Sequence, residues 1–314
     1  MTGIAMASLK NIKLKILSYK KTGTVTHAME AVSAVKMRKG QERALSGRSY
    51  AAAALSVLER LSGTADIARH PLMQDLPAGR QGGEGKIALI VITSDKGLAG
   101  ALNSGVVRKV ESELRERNLS KENVVVYAFG RRGGEYFSTR GYDVGTTHTN
   151  VSDGISESEM SDMTGAILGR TDIASVLVAY QNFISTFEQH PVVRQIVPIR
   201  PEMMREIIAN IRPARGKYAP HHAEDLTHPA AYTIEPDADS VLDILLPKLL
   251  NIAVFHAMLE SKASEHSARM VAMKSATDKA RDMAKGLTRT FNKVRQAAIT
   301  REVSEITSGI EAMK

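Results

Sequence analysis

The sequence predicts an α/β fold class with an unusual frame: a small, doubly wound central domain held between two long terminal helices that pair as an antiparallel coiled coil. Three observations predict it. The C-terminal residues Lys248 to Lys314 hold no proline and only two glycines, Gly286 and Gly309. The N-terminal stretch Met6 to Leu61 is likewise free of proline. Between them, three near-continuous apolar runs rich in β-branched residues alternate with helix-like segments.

In the N-terminal segment, Ile12, Ile16 and Tyr19 form one short apolar stripe, and Val25, Ala28, Val32 and Val35 form a second, out of phase with it. Ala, Lys, Met and Leu are abundant, and most of this composition favours helix. Interrupted stripes with small residues predict an irregular seam rather than a maximally stable zipper. In the C-terminal segment, Met270, Met273, Thr277, Ala280, Ala284, Leu287, Phe291, Val294 and Ala298 recur in steps of three and four. One residue on, the stripe resumes at Ile299, Val303, Ile306, Ile310 and Met313. Such spacing is one face of a helix that winds around a partner. The single-residue step turns the face, so the two stretches need not meet the same neighbour. At 1.5 Å per residue this helix extends roughly 100 Å, too long to lie inside its own core.

In the middle, KIALIVIT from Lys86, NVVVYAFG from Asn123 and ASVLVAYQ from Ala174 read as strands covered on both faces, as in a parallel sheet. Leu98 to Asn118 and Ser156 to Arg170 read as helices. Residues Ile184 to Ile199 contain Pro191 and Pro198, which predicts an edge or hairpin element. The resulting division is 1–61 N-terminal helix, 62–85 linker, 86–212 α/β domain, 213–236 linker and 237–314 C-terminal helix.

Charge follows this division. The formal net charge is +8. Residues 1–61 hold 11 basic and 3 acidic side chains, residues 62–236 hold 19 and 21, and residues 237–314 hold 12 and 10. The basic character therefore belongs to the helices. Such a rod suits acidic protein surfaces or nucleic acid. Aromatics are 4% with no Trp, poor material for one large globular core. The absence of Cys excludes disulfides and thiol catalysis within the chain. No uninterrupted apolar run approaches 18 residues, and the N-terminus lacks the apolar core of a signal peptide.

Motifs for chemistry fail on inspection. GRQGGEGK has the look of a phosphate loop, but Arg80 and Ile87 occupy the positions that need Gly and Ser or Thr, and the loop precedes a strand. TSDKGLAGALNSG, with Gly97, Gly100 and Gly105, misses the dinucleotide spacing and reads as a tight turn with close backbone packing. The histidines of HHAEDLTH, His221, His222 and His228, lie in a polar loop without further organised ligands. No catalytic triad or carboxylate pair stands out. The expectation is a chain with no cofactor and no catalysis of its own.

Several blocks carry a family resemblance. MASLKNIKLKI at Met6 to Ile16 and AMEAVSAVKMRK at Ala28 to Lys39 resemble the N-terminal helix of the gamma subunits of bacterial F-type ATP synthases. TSDKGLAGALN at Thr93 to Asn103 resembles that family's turn after the first strand. ASEHSARMVAMKSATDKA at Ala263 to Ala280 and FNKVRQAAITREVSEITSG at Phe291 to Gly309 resemble its C-terminal helix. The resemblance spans nearly the whole chain, with an extension before Met6, Ala99 and Ala101 in the turn, and divergent linkers as departures.

It implies a Rossmann-like foot below a coiled-coil shaft that turns inside a ring of alpha and beta subunits, with the foot bound to the epsilon subunit and the c ring. It implies peripheral membrane association, on the cytoplasmic face of a bacterial plasma membrane. The same resemblance implies contact with a beta subunit at Met29, Lys96, Arg295, Gln296 and Thr300, and contact with epsilon or the c ring at Tyr232 and Glu235. The alternative is a nucleic-acid-binding coiled-coil arm gripping phosphates. Against it, Ala, Met and Val dilute the basic residues, and stacking aromatics are nearly absent from both helices.

Overall fold

The structure is a computed structural model; its described residues are 2–46, 53–54, 56–58, 61, 70–74, 85–168, 170, 172–200, 202–203, 205, 235 and 237–313. In order, the elements are α1 (Thr2–Ser46), β1 (Lys86–Ile92), α2 (Leu102–Glu116), β2 (Val124–Phe129), α3 (Arg131–Thr139), β3 (Asp143–His148), α4 (Glu157–Leu168), β4 (Ile173–Phe183), β5 (Gln189–Val197) and α5 (Ala238–Ala312). Two compact units result: Met1–Ser33 with Met270–Lys314, and Ala34–Arg269. Helices α1 and α5 contribute to both.

The larger unit is built on a five-stranded sheet ordered β3-β2-β1-β4-β5. Strands β3, β2, β1 and β4 run parallel, and β5 returns antiparallel to β4. Alternation sends Ala88, Ile90 and Ile92 of β1 to one face and Leu89 and Val91 to the other. Both faces are covered, which is why these strands read as continuous apolar runs. Val106, Val107, Val110 and Leu114 of α2 and Phe137 of α3 pack on one face. Met160 and Ile167 of α4 and Leu242 to Met258 of α5 pack on the other. Each such side chain contributes roughly 1.5–3 kcal/mol of gross burial energy.

Thus α5 begins as the core helix of an α/β body. Asp237 caps it, accepting from the Ser240 backbone N–H at 2.8 Å and holding its own carboxyl below the usual range through that bond. One 18-residue window of α5 reaches a mean hydropathy of 1.6, enough by length and composition to cross a membrane, but 56% of it is buried in the protein. That is the signature of a core helix. Pro247 lies within α5, before the proline-free stretch.

The edge at β5 holds Pro191 opposite Gln181, as expected of an edge strand, since proline donates no ladder bond. Three elements differ from the sequence expectation. The helix expected over Leu98 to Asn118 starts only at Leu102, after a turn in which Leu98 and Gly100 take positive φ. Strand β3 and helix α3 were not foreseen: β3 is DVGTTH, an exposed polar edge, and α3 is nine residues opening RRGG. Neither carries an apolar period long enough to read. Gly130 makes this corner work: at φ 106° a Cβ there would stand 2.1 Å from the Thr93 carbonyl oxygen. The motif residues hold the corner from the other side. Asp95 accepts from the backbone N–H groups of Arg131 and Asn150, each at 2.9 Å, and Asn103 accepts from the Ser94 N–H at 2.9 Å.

On α5 the larger unit buries a polar pair. His256 is 3% exposed and Glu260 6%, one helical turn apart. His256 donates through Nε2 to the Ala44 carbonyl at 3.0 Å, and its Nδ1 lies 3.9 Å from Glu260. Burial pushes His256 down to about 4, against the pull of the Ala44 bond. Burial pushes Glu260 up to about 8, against the Arg194 charge and the Tyr180 hydroxyl bond. Both are therefore neutral near pH 7.

The signs follow. A raised carboxyl contributes stability that is full below its unfolded value and is lost as pH climbs through about 8. A lowered imidazole contributes stability that is full above its unfolded value and is lost as pH falls through about 4. Between pH 6.5 and 8.5 the Glu260 loss acts alone, on the order of a few kcal/mol at most. Urea unfolding of the full chain over that window should show stability falling with pH, and Glu260→Gln should flatten the slope; a slope unchanged by the substitution would reject this role.

Candidate functional site

The surface available for function is that of the two helices. In the smaller unit, residues rise along α1 as their partners fall along α5. Gly23 faces Ala280, and the Thr26 and Thr277 hydroxyls meet at 2.7 Å, so the pairing is antiparallel. Each hydroxyl has one proton: Thr277 lies 2.8 Å from the Met273 carbonyl and Thr26 3.0 Å from the Thr22 carbonyl, so one bonds its own helix and accepts from the other. Met273, Thr277, Ala280 and Ala284 are buried, as the heptad spacing predicts. Leu287, Phe291, Val294 and Ala298 are half-buried.

Among the described residues of α1 the buried positions are Gly23, Thr26 and Ser33, with Ala44 farther along in the larger unit. The second stripe read from the sequence, Val25, Ala28, Val32 and Val35, faces outward instead. Small residues let two helical backbones approach closely, and that closeness, rather than side-chain apolarity, selected the seam.

Beside the seam runs an open groove floored by Tyr19, Gly23 and Ala284 and walled by Lys20, Arg281, Lys285 and Arg289. The three α5 cations stand four residues apart, on one face. Such a groove attracts carboxylates. This site was missed in the sequence, although its spacing was readable.

Farther along α5 the second stripe is bare. Ile299, Val303, Ile306 and Ile310 are 51–59% exposed and Met313 is 90% exposed. In the register that sets Gly23 against Ala280 and Thr26 against Thr277, Val303 and the residues after it lie past the start of α1. A periodic apolar face left open in this way marks a surface that meets another protein.

The matches to known proteins agree with this geometry. A family model described as ATP synthase matches residues 8–313. An ATP synthase gamma chain from Pelotomaculum thermopropionicum is 36% identical across 98% of this chain and the whole of that protein. The chain belongs to the ATP synthase gamma-chain family. A second gamma chain, from Nitrosomonas eutropha, is also 36% identical over the same shares. Among solved structures, the fold matches a chain of the Euglena gracilis mitochondrial ATP synthase OSCP/F1/c-ring assembly at a TM-score of 0.64, with 15% identity, covering 98% of this chain and 95% of that one. It also matches a chain of the rotor of the same Euglena enzyme at 0.59, with 14% identity, covering 93% and 99%.

The residues singled out by resemblance to gamma chains occupy separate places. Arg295, Gln296 and Thr300 are exposed on α5, between the paired seam and the bare stripe. Among the described residues no ion pair reaches Arg295. Met29 is half-buried on α1, and its carbonyl accepts from Ser33 Oγ at 2.7 Å. Lys96 is exposed in the turn between β1 and α2, in the other unit. Glu235 is exposed ahead of α5, and Tyr232 lies outside the described residues, as do His221, His222, His228 and Arg80. Among the described residues no cluster of His, Cys, Asp or Glu is arranged to hold a metal.

The seam makes one direct prediction. A Cβ added at Gly23 would rest 3.7 Å from the Ala280 Cβ, an ordinary contact. Gly23→Ala should therefore keep the pairing and raise stability by up to about 1 kcal/mol, the helix preference of Ala over Gly. Urea unfolding measures it; a loss of stability would mean that the helices need the bare backbone there.

Proposed function

We propose that this chain is the central-stalk rotor of an F-type ATP synthase, turning with a membrane ring inside a set of alpha and beta subunits and coupling ion flow to ATP synthesis or hydrolysis. The observation that carries the reading is the bare apolar stripe from Ile299 to Met313, at the end of a 75-residue helix, in a member of the gamma-chain family. A rod whose tip needs an apolar sleeve, and whose flank carries a basic groove, suits a site inside a ring of acidic loops. An off-axis rod makes unequal contacts with equivalent subunits, and unequal contact energies bias their conformational equilibria.

The chain contributes no catalytic group of its own in this reading. The α/β domain of residues 86–212 serves as the foot, joined through residues 62–85 and 213–236 to helices 1–61 and 237–314. Tyr232 and Glu235 contact the epsilon subunit or the c ring, with the complex held peripherally on the cytoplasmic face of a bacterial membrane. Met29, Lys96, Arg295, Gln296 and Thr300 face a beta subunit. Arg295 suits that role because its planar fork pairs a carboxylate through two hydrogen bonds. No observation favours the nucleic-acid reading.

Copurification of the tagged full chain with alpha and beta subunits tests the assignment, and retention on DNA without those subunits would overturn it. Within the assembled complex, Arg295→Ala should lower ATP hydrolysis by about tenfold, the order expected for loss of a charge-assisted hydrogen bond of ~1.5 kcal/mol, while leaving assembly intact. Full activity in an intact complex would remove Arg295 from the contact.

A further inference from the structure

Four donors from both long helices converge on one short loop of the larger unit. The loop, residues 149–156, joins β3 to α4, and the contacts fall on its residues 151–154. Asp153 Oδ2 accepts from Lys36 Nζ of α1 at 2.8 Å. Asp153 Oδ1 lies 3.1 Å from His266 Nε2 and 3.9 Å from Lys262 Nζ, both on α5. The Asp153 carbonyl accepts from Arg43 Nη1 of α1 at 2.7 Å, and Lys262 Nζ also donates to the Val151 carbonyl at 2.8 Å. The convergence is written in the helical period. Lys36 and Arg43 are two turns apart on one face of α1, and Lys262 and His266 one turn apart on one face of α5.

From this geometry we infer that Asp153 is a positioning residue that clamps the α/β body to both long helices at once, so that torque passes between body and helices without slip. The inference rests on the rotor reading above. Packed apolar faces resist being pulled apart, but they have little preference for direction along the face. Hydrogen bonds weaken steeply when bent, and those to charged groups are the strongest, so a carboxylate held from two sides resists sideways displacement. Its acidity agrees: the bond from His266, followed by Lys36 and the Lys262 charge, holds the Asp153 carboxyl far below the usual carboxylate range. Other polar bonds from sheet-side elements, Thr164 to Asn251 and Ser264 to the Gln181 carbonyl, end on α5. Asp153 also reaches α1.

Stiffness and stability separate here. The Asp153 side chain is 40% exposed and that of Lys36 50% exposed, and ion pairs so open to water add little to folding. Removing the carboxylate should therefore leave a folded, assembling chain with a softer grip. The test uses the complete membrane-bound complex carrying Asp153→Ala, with a probe on the α/β body and the alpha–beta ring fixed. ATP hydrolysis by the soluble alpha–beta–gamma assembly should stay at the wild-type rate. ATP-driven proton pumping against an opposing gradient should fall by about twofold or more, and the angular fluctuation of the probe should widen in step. Lys36→Ala with Arg43→Ala should reproduce the effect, and adding Asp153→Ala should worsen it little, because these residues act as one network.

Wild-type pumping and fluctuation width in the Asp153→Ala complex would overturn the clamp. If that variant fails to assemble, Asp153→Asn, which keeps the volume and removes the charge, decides by the same two readings. Failure of the wild-type chain to join alpha and beta would count against the rotor reading instead.

Discussion

A helix of 75 residues, about 110 Å at 1.5 Å per residue, has more surface than a chain of this size can cover, and the organisation of the molecule follows from how that surface is shared out. The first third lies under a sheet, where Leu242, Leu246, Leu249 and Leu250 serve as ordinary core residues. The middle pairs with α1 through small residues. The last stretch is paired with nothing among the described residues. One continuous backbone thus passes through three environments, and the side-chain pattern changes at each boundary: broad and apolar, then narrow and small, then narrow and apolar but rotated.

Small residues at the seam have an energetic logic. Thr26 and Thr277 meet hydroxyl to hydroxyl, and each has a backbone carbonyl of its own helix within reach. Such a contact is satisfied without demanding a large apolar partner, so the seam is specific in register while burying little area. A pair of helices joined in this way leaves its outer faces free to be basic or bare. The contrast with His256 and Glu260 is instructive. That pair lies deep in the larger unit, where its charge is suppressed and its neutrality lets it sit among leucines and alanines.

Much of this was legible in the residues, and the parts that were not share a cause. Strands β1, β2 and β4 announced themselves because burial on both faces leaves an unbroken apolar run. The α5 heptad held through Ala284 because one partner covers it throughout. By contrast, β3 is hidden in DVGTTH because an exposed edge imposes no hydrophobic code, and α3 because its two glycines were chosen by contact with Thr93 and Thr147 rather than by helix preference. The outward-facing Val25, Val32 and Val35 mislead for the opposite reason: they carry a helical apolar period that none of the described residues buries. Composition records where a surface is buried, but not whether the partner belongs to the same chain. The Asp153 node is beyond any local pattern, since its members come from three segments, the loop and the two long helices, brought together only by folding. Among the contact residues implied by resemblance, exposure on α5 could be anticipated from the period for Arg295 and Gln296, whereas the half-burial of Met29 depended on a seam the valines concealed.

The rotated stripe from Ile299 to Met313 also bears on the life of the chain before it has partners. A newly made copy presents a row of bare isoleucines, valine and methionine along the last turns of α5, with none of the described segments placed to cover them. Two such copies would find each other's stripes attractive. Shelter for the tip early in the life of the chain would keep those stripes apart.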